Sequence, residues 1–293
     1  MSSTVVVGYD RSASSEHALL VAAQEARARQ AGLTVVHAYH YARPSTPMVF
    51  PPPALQEVFD KAALEIAEKG ADHVRSRYPD LDVRAGAGAG PAAQVLLTAA
   101  RDAELLVVGS RGRGGFAGLL LGSVSMRVLD GAACPVVVAR GESAGARDRI
   151  VVAVDVDDPG CADVLGFAFD DAARRPAELV AIHVWDDEQR YVMEQNLVAA
   201  GLMHTAQEVA ADLHECLGSL VGQARSRHPE VESSYRVAAG AAGKVLVEES
   251  EHADLVVVGA HRRHGGHAGA RVGPVAGTLL HHAHCPVAVV PHG

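Results

Sequence analysis

Residues 104–125 read ELLVVGSRGRGGFAGLLLGSVS. The apolar run Leu105–Val108 is bounded by Gly109 and does not alternate with polar residues, the pattern of a short strand covered on both faces. Gly112 and Gly114-Gly115 then permit backbone angles and close approaches barred to larger residues. Turns of this composition can aim successive N–H groups at an anion. Gly122-Ser123 next opens a helical segment, VSMRVLDGA. The first N–H groups of such a helix, here including that of Val124, lack intrahelical acceptors and, with the Ser123 hydroxyl, offer a seat for phosphate. Ser125 supplies a second hydroxyl nearby, and Arg111 and Arg113 add positive charge. Composition and spacing leave two readings: an anion or nucleotide seat, and a tight turn without a ligand.

Two common phosphate motifs are excluded. No Gly-Lys-Ser/Thr follows the glycines, so the passage is not a P-loop. The dinucleotide fingerprint should follow the first strand, and there the sequence reads VGYDRSAS.

The passage has a second copy, GAHRRHGGHAGARVGPV, at 259–275, and the rest of the chain repeats with it. ELLVVG at 104–109 returns as DLVVVG at 254–259, RSRYP at 75–79 as RSRHP at 225–229, and ACPV at 133–136 as HCPV at 284–287. VVVGYD ends at Asp10 and IVVAVD at Asp155. Two domains follow, 1–141 and 148–293, joined by the small, polar stretch GESAGARD at 141–148.

Within the first domain the pattern predicts strands near 4–9, 33–39, 81–85, 104–109 and 134–140. Helices fit near 14–31, 54–77, 91–101 and 123–130. The second predicts strands near 149–155, 177–184, 231–237, 254–259 and 285–290. Short apolar strands joined mostly by helices make a doubly wound, mainly parallel five-stranded sheet in each domain, an α/β class. Ligands of such sheets bind beyond the carboxyl ends of the strands, where Asp10 and Gly109 both fall. Segment 40–53, HYARPSTPMVFPPP, is a loop on its prolines, read either as a cover for a ligand or as a surface excursion.

Composition narrows the function classes. The 293 residues carry a net charge of −9, with 48% hydrophobic residues. That balance argues against a broad nucleic-acid surface, and no apolar run reaches the roughly 20 residues of a membrane span. The N-terminus lacks the basic segment of a signal peptide. The four cysteines, Cys134, Cys161, Cys216 and Cys285, form no CxxC pattern, so a reducing cytoplasm is the expected location.

The spacing Gly109-x2-Gly112-x9-Gly122-Ser123, set in VVVGSRGRGG…LLLGSVSMRVL…CPVVV, resembles the ATP-binding pattern of the universal stress protein family. The resemblance covers both halves and implies tandem Rossmann-like domains with strand order 3-2-1-4-5. It implies ATP, alone or with Mg²⁺, as the ligand. By this resemblance Asp10 contacts the ribose or adenine and the Ala38 backbone contacts the base. Gly109, Gly112, Gly122, Ser123 and Ser125 then surround the phosphates, beside Arg111 and Val124. It further implies pairing of domains through their last strands, CPVVVAR and CPVAVVP, and a homodimer as a further association. Pro286 and Pro291 are expected to limit how far the second of these strands runs. A regulatory protein partner is implied without an identity.

The second copy departs from this pattern. Arg262 or Arg263 takes the place of Gly112, and Pro274 that of Ser123. Proline offers neither hydroxyl nor N–H, so nucleotide is expected in the first domain and weaker, different or no binding in the second. His261, His264 and His267 invite a metal reading, with His281, His282 and His284 near the next strand. No carboxylate or cysteine completes a ligand pattern in sequence, so no metal ligand is assigned. His37 and His183 end matching strands as structural residues, and Cys134 and Cys285 pack. The sequence supplies no base or metal-ligand set for hydrolysis, which favours a nucleotide-dependent regulator of the stress response over a dedicated enzyme. A slow ATPase and a nucleotide-independent interaction scaffold are the alternatives.

Overall fold

The computed structural model describes residues 3–40, 53–112, 121–141, 147–185, 206–262 and 270–293. Among them the chain divides into two compact units, 3–140 on one side and 141–262 with 271–293 on the other.

The first unit runs β1 (Thr4–Gly8), α1 (Ala13–Ala28), β2 (Gly32–Tyr39), α2 (Pro53–Arg77), β3 (Val83–Ala89), α3 (Ala92–Ala99), β4 (Leu105–Gly109), α4 (Ser123–Gly131) and β5 (Val136–Ala139). All its pairings are parallel and the strand order is β3-β2-β1-β4-β5, as the resemblance implied. The order reverses between β1 and β4, where Val5–Val7 pair with Leu105–Val107. Val5, Val6 and Val7 and the whole run Leu105–Val108 are buried, which is why neither strand alternates in sequence. Helix α1 covers β1 and β4 with a face of small residues, Ala18, Ala22 and Ala26 around Leu19, all buried. Ser12 starts this helix by accepting the Ser15 N–H at 3.2 Å.

The second unit repeats the plan with β6 (Arg149–Ala153), α5 (Cys161–Arg174), β7 (Glu178–Trp185), α6 (Ala206–Arg225), β8 (Ser233–Ala239), α7 (Ala242–Ser250), β9 (Leu255–Arg262), α8 (Pro274–His282) and β10 (Val287–His292). Its order is β8-β7-β6-β9-β10, again parallel. Each unit also pairs a buried acid on its first helix with an arginine one turn on at the helix end, Glu25 with buried Arg29 and Asp171 with half-buried Arg175.

Several boundaries differ from the sequence pattern: α1 ends at Ala28, and β9 runs on past Gly259 to Arg262. β3 and β8 start later than expected and run on to Ala89 and Ala239. RAGAGA and SSYRVAA carry little apolar signal, and it is the register with β2 and β7 that makes them strands. β10 passes through Pro291 rather than stopping there. Pro286 C=O accepts from Val256 N–H, so the even-numbered residues of β10 aim their main-chain groups at β9. Pro291 aims away, and no donor of that ladder is lost. The expected loop at 41–52 and most of the joint at 142–146 lie outside the described residues.

Candidate functional site

In the first unit the crevice at the β1/β4 reversal is built from two turns. Asp10 leaves β1 and accepts the Ser12 N–H on Oδ1 at 3.0 Å, while its own N–H donates to Ser15 Oγ at 3.2 Å. Arg11 between them takes a left-handed φ of 65°. The preceding residue is clamped to β2 in both directions. Tyr9 N–H donates to Val36 C=O at 2.9 Å, and buried His37 donates from Nδ1 to Tyr9 C=O at 2.7 Å. Tyr9 also donates its hydroxyl to Glu16. Burial, followed by that hydrogen bond, pushes the Tyr9 phenol up to about 12. His37 is therefore structural, and its task is to fix the chain that carries Asp10.

The second turn follows β4. A Cβ on Gly109 would stand 2.6 Å from Ser14 Oγ and 2.8 Å from Ser14 O, so only glycine fits against the start of α1. Ser14 Oγ accepts the Arg111 N–H at 3.1 Å. Gly122 N–H donates to Ser110 C=O at 2.7 Å, closing the passage between residues 110 and 122 at its neck. A Cβ on Gly112 would lie 2.9 Å from Asp10 Oδ2, so the two turns meet there.

Helix α4 begins on extended Gly122 with no side-chain cap. Its ladder opens with Met126 N–H to Gly122 C=O, which places the N–H groups of Ser123, Val124 and Ser125 ahead of it. Ser123 is exposed. Ser125 is buried and donates its hydroxyl to Gly109 C=O at 2.7 Å, so that proton braces the turn instead of facing a ligand. Ala38 is half-buried near the end of β2, beside Gly88 of β3. Arg111 and Gly112 are exposed. Arg113 lies outside the described residues.

The sequence reading missed Arg140. The register of Gly109 with Ala139 puts it beside the glycine turn, where burial and then the Arg111 charge lower its pKa. Two guanidinium groups thus share this edge with Asp10. Ser14 and Ser110, which hold the turn, were also missed. Their signal in sequence is only a hydroxyl beside a strand end.

The second unit keeps the frame and changes the donors. Asp157 N–H donates to Asp155 Oδ1 at 3.2 Å, and His183 Nδ1 donates to Val154 C=O at 3.0 Å, the counterparts of the Asp10 turn and the His37 clamp. Helix α8 starts on Gly273 with Pro274 in its first turn. That removes the N–H and hydroxyl that Ser123 offers, and Ala276 replaces the bracing Ser125. Ala260 stands where the first unit has Ser110. A cavity of ≈ 1180 Å³ nevertheless opens here, lined among others by Asp155, His183, Trp185, Gly259, Gly273 and Pro274. Asp158, His261 and His292 gather at its wall, with one ligand atom from each within 4.8 Å of the others. They are the one such group among the described residues. His264 and His267 lie outside those residues.

Cys134 and Cys285 are buried, and burial pushes their thiols up to about 11 and about 12. Packing explains them, as expected. No described helix is long and apolar enough to cross a membrane.

Two doubly wound sheets, each with an acidic turn after its first strand and a glycine-marked helix start after its fourth, define a tandem Rossmann-like α/β protein. The chain belongs to the universal stress protein family, whose model matches residues 1–140 and 146–291. A universal stress protein of Mycolicibacterium smegmatis is 33% identical over 291 residues, spanning 98% of this chain and 96% of that protein. One from Mycobacterium tuberculosis is 34% identical over 292 residues, 97% and 96% of the two chains. Among solved structures, a universal stress protein from Archaeoglobus fulgidus shares the fold with a TM-score of 0.70 at 19% identity, covering 100% of both chains.

Proposed function

We propose that the first unit binds an adenine nucleotide, with Mg²⁺ carried on its phosphates, and that the protein acts as a nucleotide-dependent regulator in the stress response. The observation that carries this reading is the start of α4. Three N–H groups without a side-chain cap stand on the strand-end edge that also holds Asp10, Arg111 and Arg140. In this reading the Ser123, Val124 and Ser125 N–H groups and the Ser123 hydroxyl meet the phosphates. Asp10 takes the ribose or adenine end, and Ala38 meets the base through its backbone. Gly112 keeps the space before Asp10 Oδ2 clear.

Calorimetric titration of the full chain with MgATP tests this. A Cβ at Gly122 meets nothing closer than 3.5 Å in the free protein, so Gly122→Ala with Ser123→Ala leaves the fold intact. It places a methyl group at the phosphate seat and deletes a hydroxyl. Hydrogen bonds to charged groups are worth about 1.5–3 kcal/mol, and the double variant is expected to bind at least about tenfold more weakly. Asp155→Asn in the second unit leaves the main binding event unchanged. Equal affinity in the double variant and the parent chain would count against the proposal.

A further inference from the structure

The geometry points to a divalent transition-metal site of Zn²⁺ type in the second unit, formed by Asp158, His261 and His292. The three residues come from separate parts of the chain. Asp158 lies in the turn before α5, His261 is in β9, and His292 ends β10. His261 and His292 are register partners on adjacent parallel strands, which puts both imidazoles on one face with ring centroids 4.8 Å apart. Asp158 Oδ2 lies 3.3 Å from His292 Nε2 and 3.7 Å from His261 Nε2. Both separations exceed a good N–H···O hydrogen bond. They bracket the spacing of about 3.4 Å between ligand atoms arranged tetrahedrally about 2.1 Å from zinc.

The second unit has been rebuilt around His292. Counting back eleven residues from the buried acid of each first helix, Glu25 and Asp171, reaches Ser14 and Gly160. In the first unit Ser14 packs directly on Gly109. In the second, Gly160 and Gly259 leave a slot that the His292 ring fills: a Cβ on Gly160 would stand 2.0 Å from its Nδ1, and one on Gly259 2.5 Å from its Nε2. His292 is 2% exposed, and its buried Nδ1 has no hydrogen-bond partner. An imidazole sealed in this way, with Nε2 turned towards a carboxylate and a second imidazole, is placed for ligation rather than solvation. Asp158 is itself oriented, accepting the Gly160 N–H on Oδ1 at 2.8 Å and the Cys161 N–H on its carbonyl at 3.0 Å, the outer support that metal ligands need.

The surroundings favour a cation. Asp155 and Asp157 line the same cavity as Asp158, against Arg271 on its lining and Arg262 next to His261 in β9. Two imidazoles and a carboxylate suit zinc with one position left for water or an anionic group. That position borders the cavity whose helix start has lost a donor to Pro274. The site is independent of nucleotide in the first unit.

Chelator-treated full chain, without nucleotide, is titrated with Zn²⁺ against a chromogenic competitor and, separately, with Co²⁺ followed by visible absorption. One tight zinc equivalent per chain and the intense bands of low-coordinate Co²⁺ are expected. Replacing an outer-shell partner typically costs 10–100-fold in metal affinity. Asp158→Asn and His261→Ala should each cost at least about that much, and His261 is exposed, so its removal spares the fold. Zinc should raise the melting temperature of the parent chain and not of these variants. His281→Ala with His282→Ala, and His264→Ala with His267→Ala, should bind as the parent does. No tight equivalent, or a tight equivalent that survives both Asp158→Asn and His261→Ala, overturns the site.

Discussion

Gly112 and Asp10 meet so closely that a Cβ on the glycine would stand 2.9 Å from Asp10 Oδ2. The contact joins the turn after β1 to the turn after β4 and ties the glycine motif to the acidic residue by sterics rather than by loop flexibility. Gly112→Val is expected to push the Asp10 carboxylate aside and weaken MgATP binding by about tenfold or more. Both residues lie at a surface turn, where substitutions usually change stability by no more than about 0.5 kcal/mol. Calorimetry paired with a denaturation curve separates the two effects. Lost stability with unchanged affinity would contradict this account.

The histidine clamps make a paired prediction. His37 and His183 each donate to the carbonyl just before an acidic turn. His37→Leu and His183→Leu each remove that donor from a buried carbonyl, at an expected cost of about 1–3 kcal/mol. Urea unfolding measures it. His37→Leu should also weaken nucleotide binding, because it frees the chain carrying Asp10, while His183→Leu should not.

Pro274 sets the difference between the two helix starts. Pro274→Ser with Ala276→Ser restores an N–H and two hydroxyls, the second able to donate to Gly259 C=O as Ser125 does to Gly109 C=O. A gain in second-unit nucleotide affinity of about tenfold is expected, from hydrogen bonds worth about 1.5–3 kcal/mol to a charged group. Titration in a Gly122→Ala/Ser123→Ala background reads it without interference. No gain would mean that the helix start does not set phosphate affinity.

The thiols should separate by burial. Cys134 and Cys285 are held protonated up to about pH 11 and about pH 12, and the thiolate is the reactive form. Iodoacetamide at pH 8 should leave both unmodified in the folded chain and label exposed Cys216. Peptide mapping checks this, and rapid labelling of Cys285 would contradict the packing.

Tyr9 gives a prediction for alkaline pH. Its phenol holds its proton up to about 12, against an ordinary value of 10. The folded chain therefore binds that proton more tightly than the unfolded one, and the resulting stability is complete below pH 10. It is lost as pH rises from about 10 to about 12. Tyr9→Phe should flatten the stability curve across that window, and an unchanged slope would contradict the assignment.

Much of this was legible in the sequence, for identifiable reasons. Valine runs buried on both faces gave β1, β4, β6 and β9, and the repeat gave two units. Asp10, Gly109 and Gly122 were readable because strand ends and helix starts carry local signals. Arg140 was not, because only the pairing of β4 with β5 brings it to the glycine turn. The Asp158–His261–His292 group was hidden for the same reason: His292 reaches it only because β10 runs through Pro291, and no local spacing links it to Asp158. Ser125 was expected to turn its hydroxyl to the phosphates, but its proton faces inward to Gly109 C=O, a direction that sequence does not encode.

Native mass spectrometry of the full chain with MgATP tests the central claim most directly. The account predicts one tightly held nucleotide per chain, lost in the Gly122→Ala/Ser123→Ala variant and kept in Asp155→Asn. A chain that holds no nucleotide, or one whose nucleotide survives the first pair of substitutions and disappears with Asp155→Asn, would contradict it.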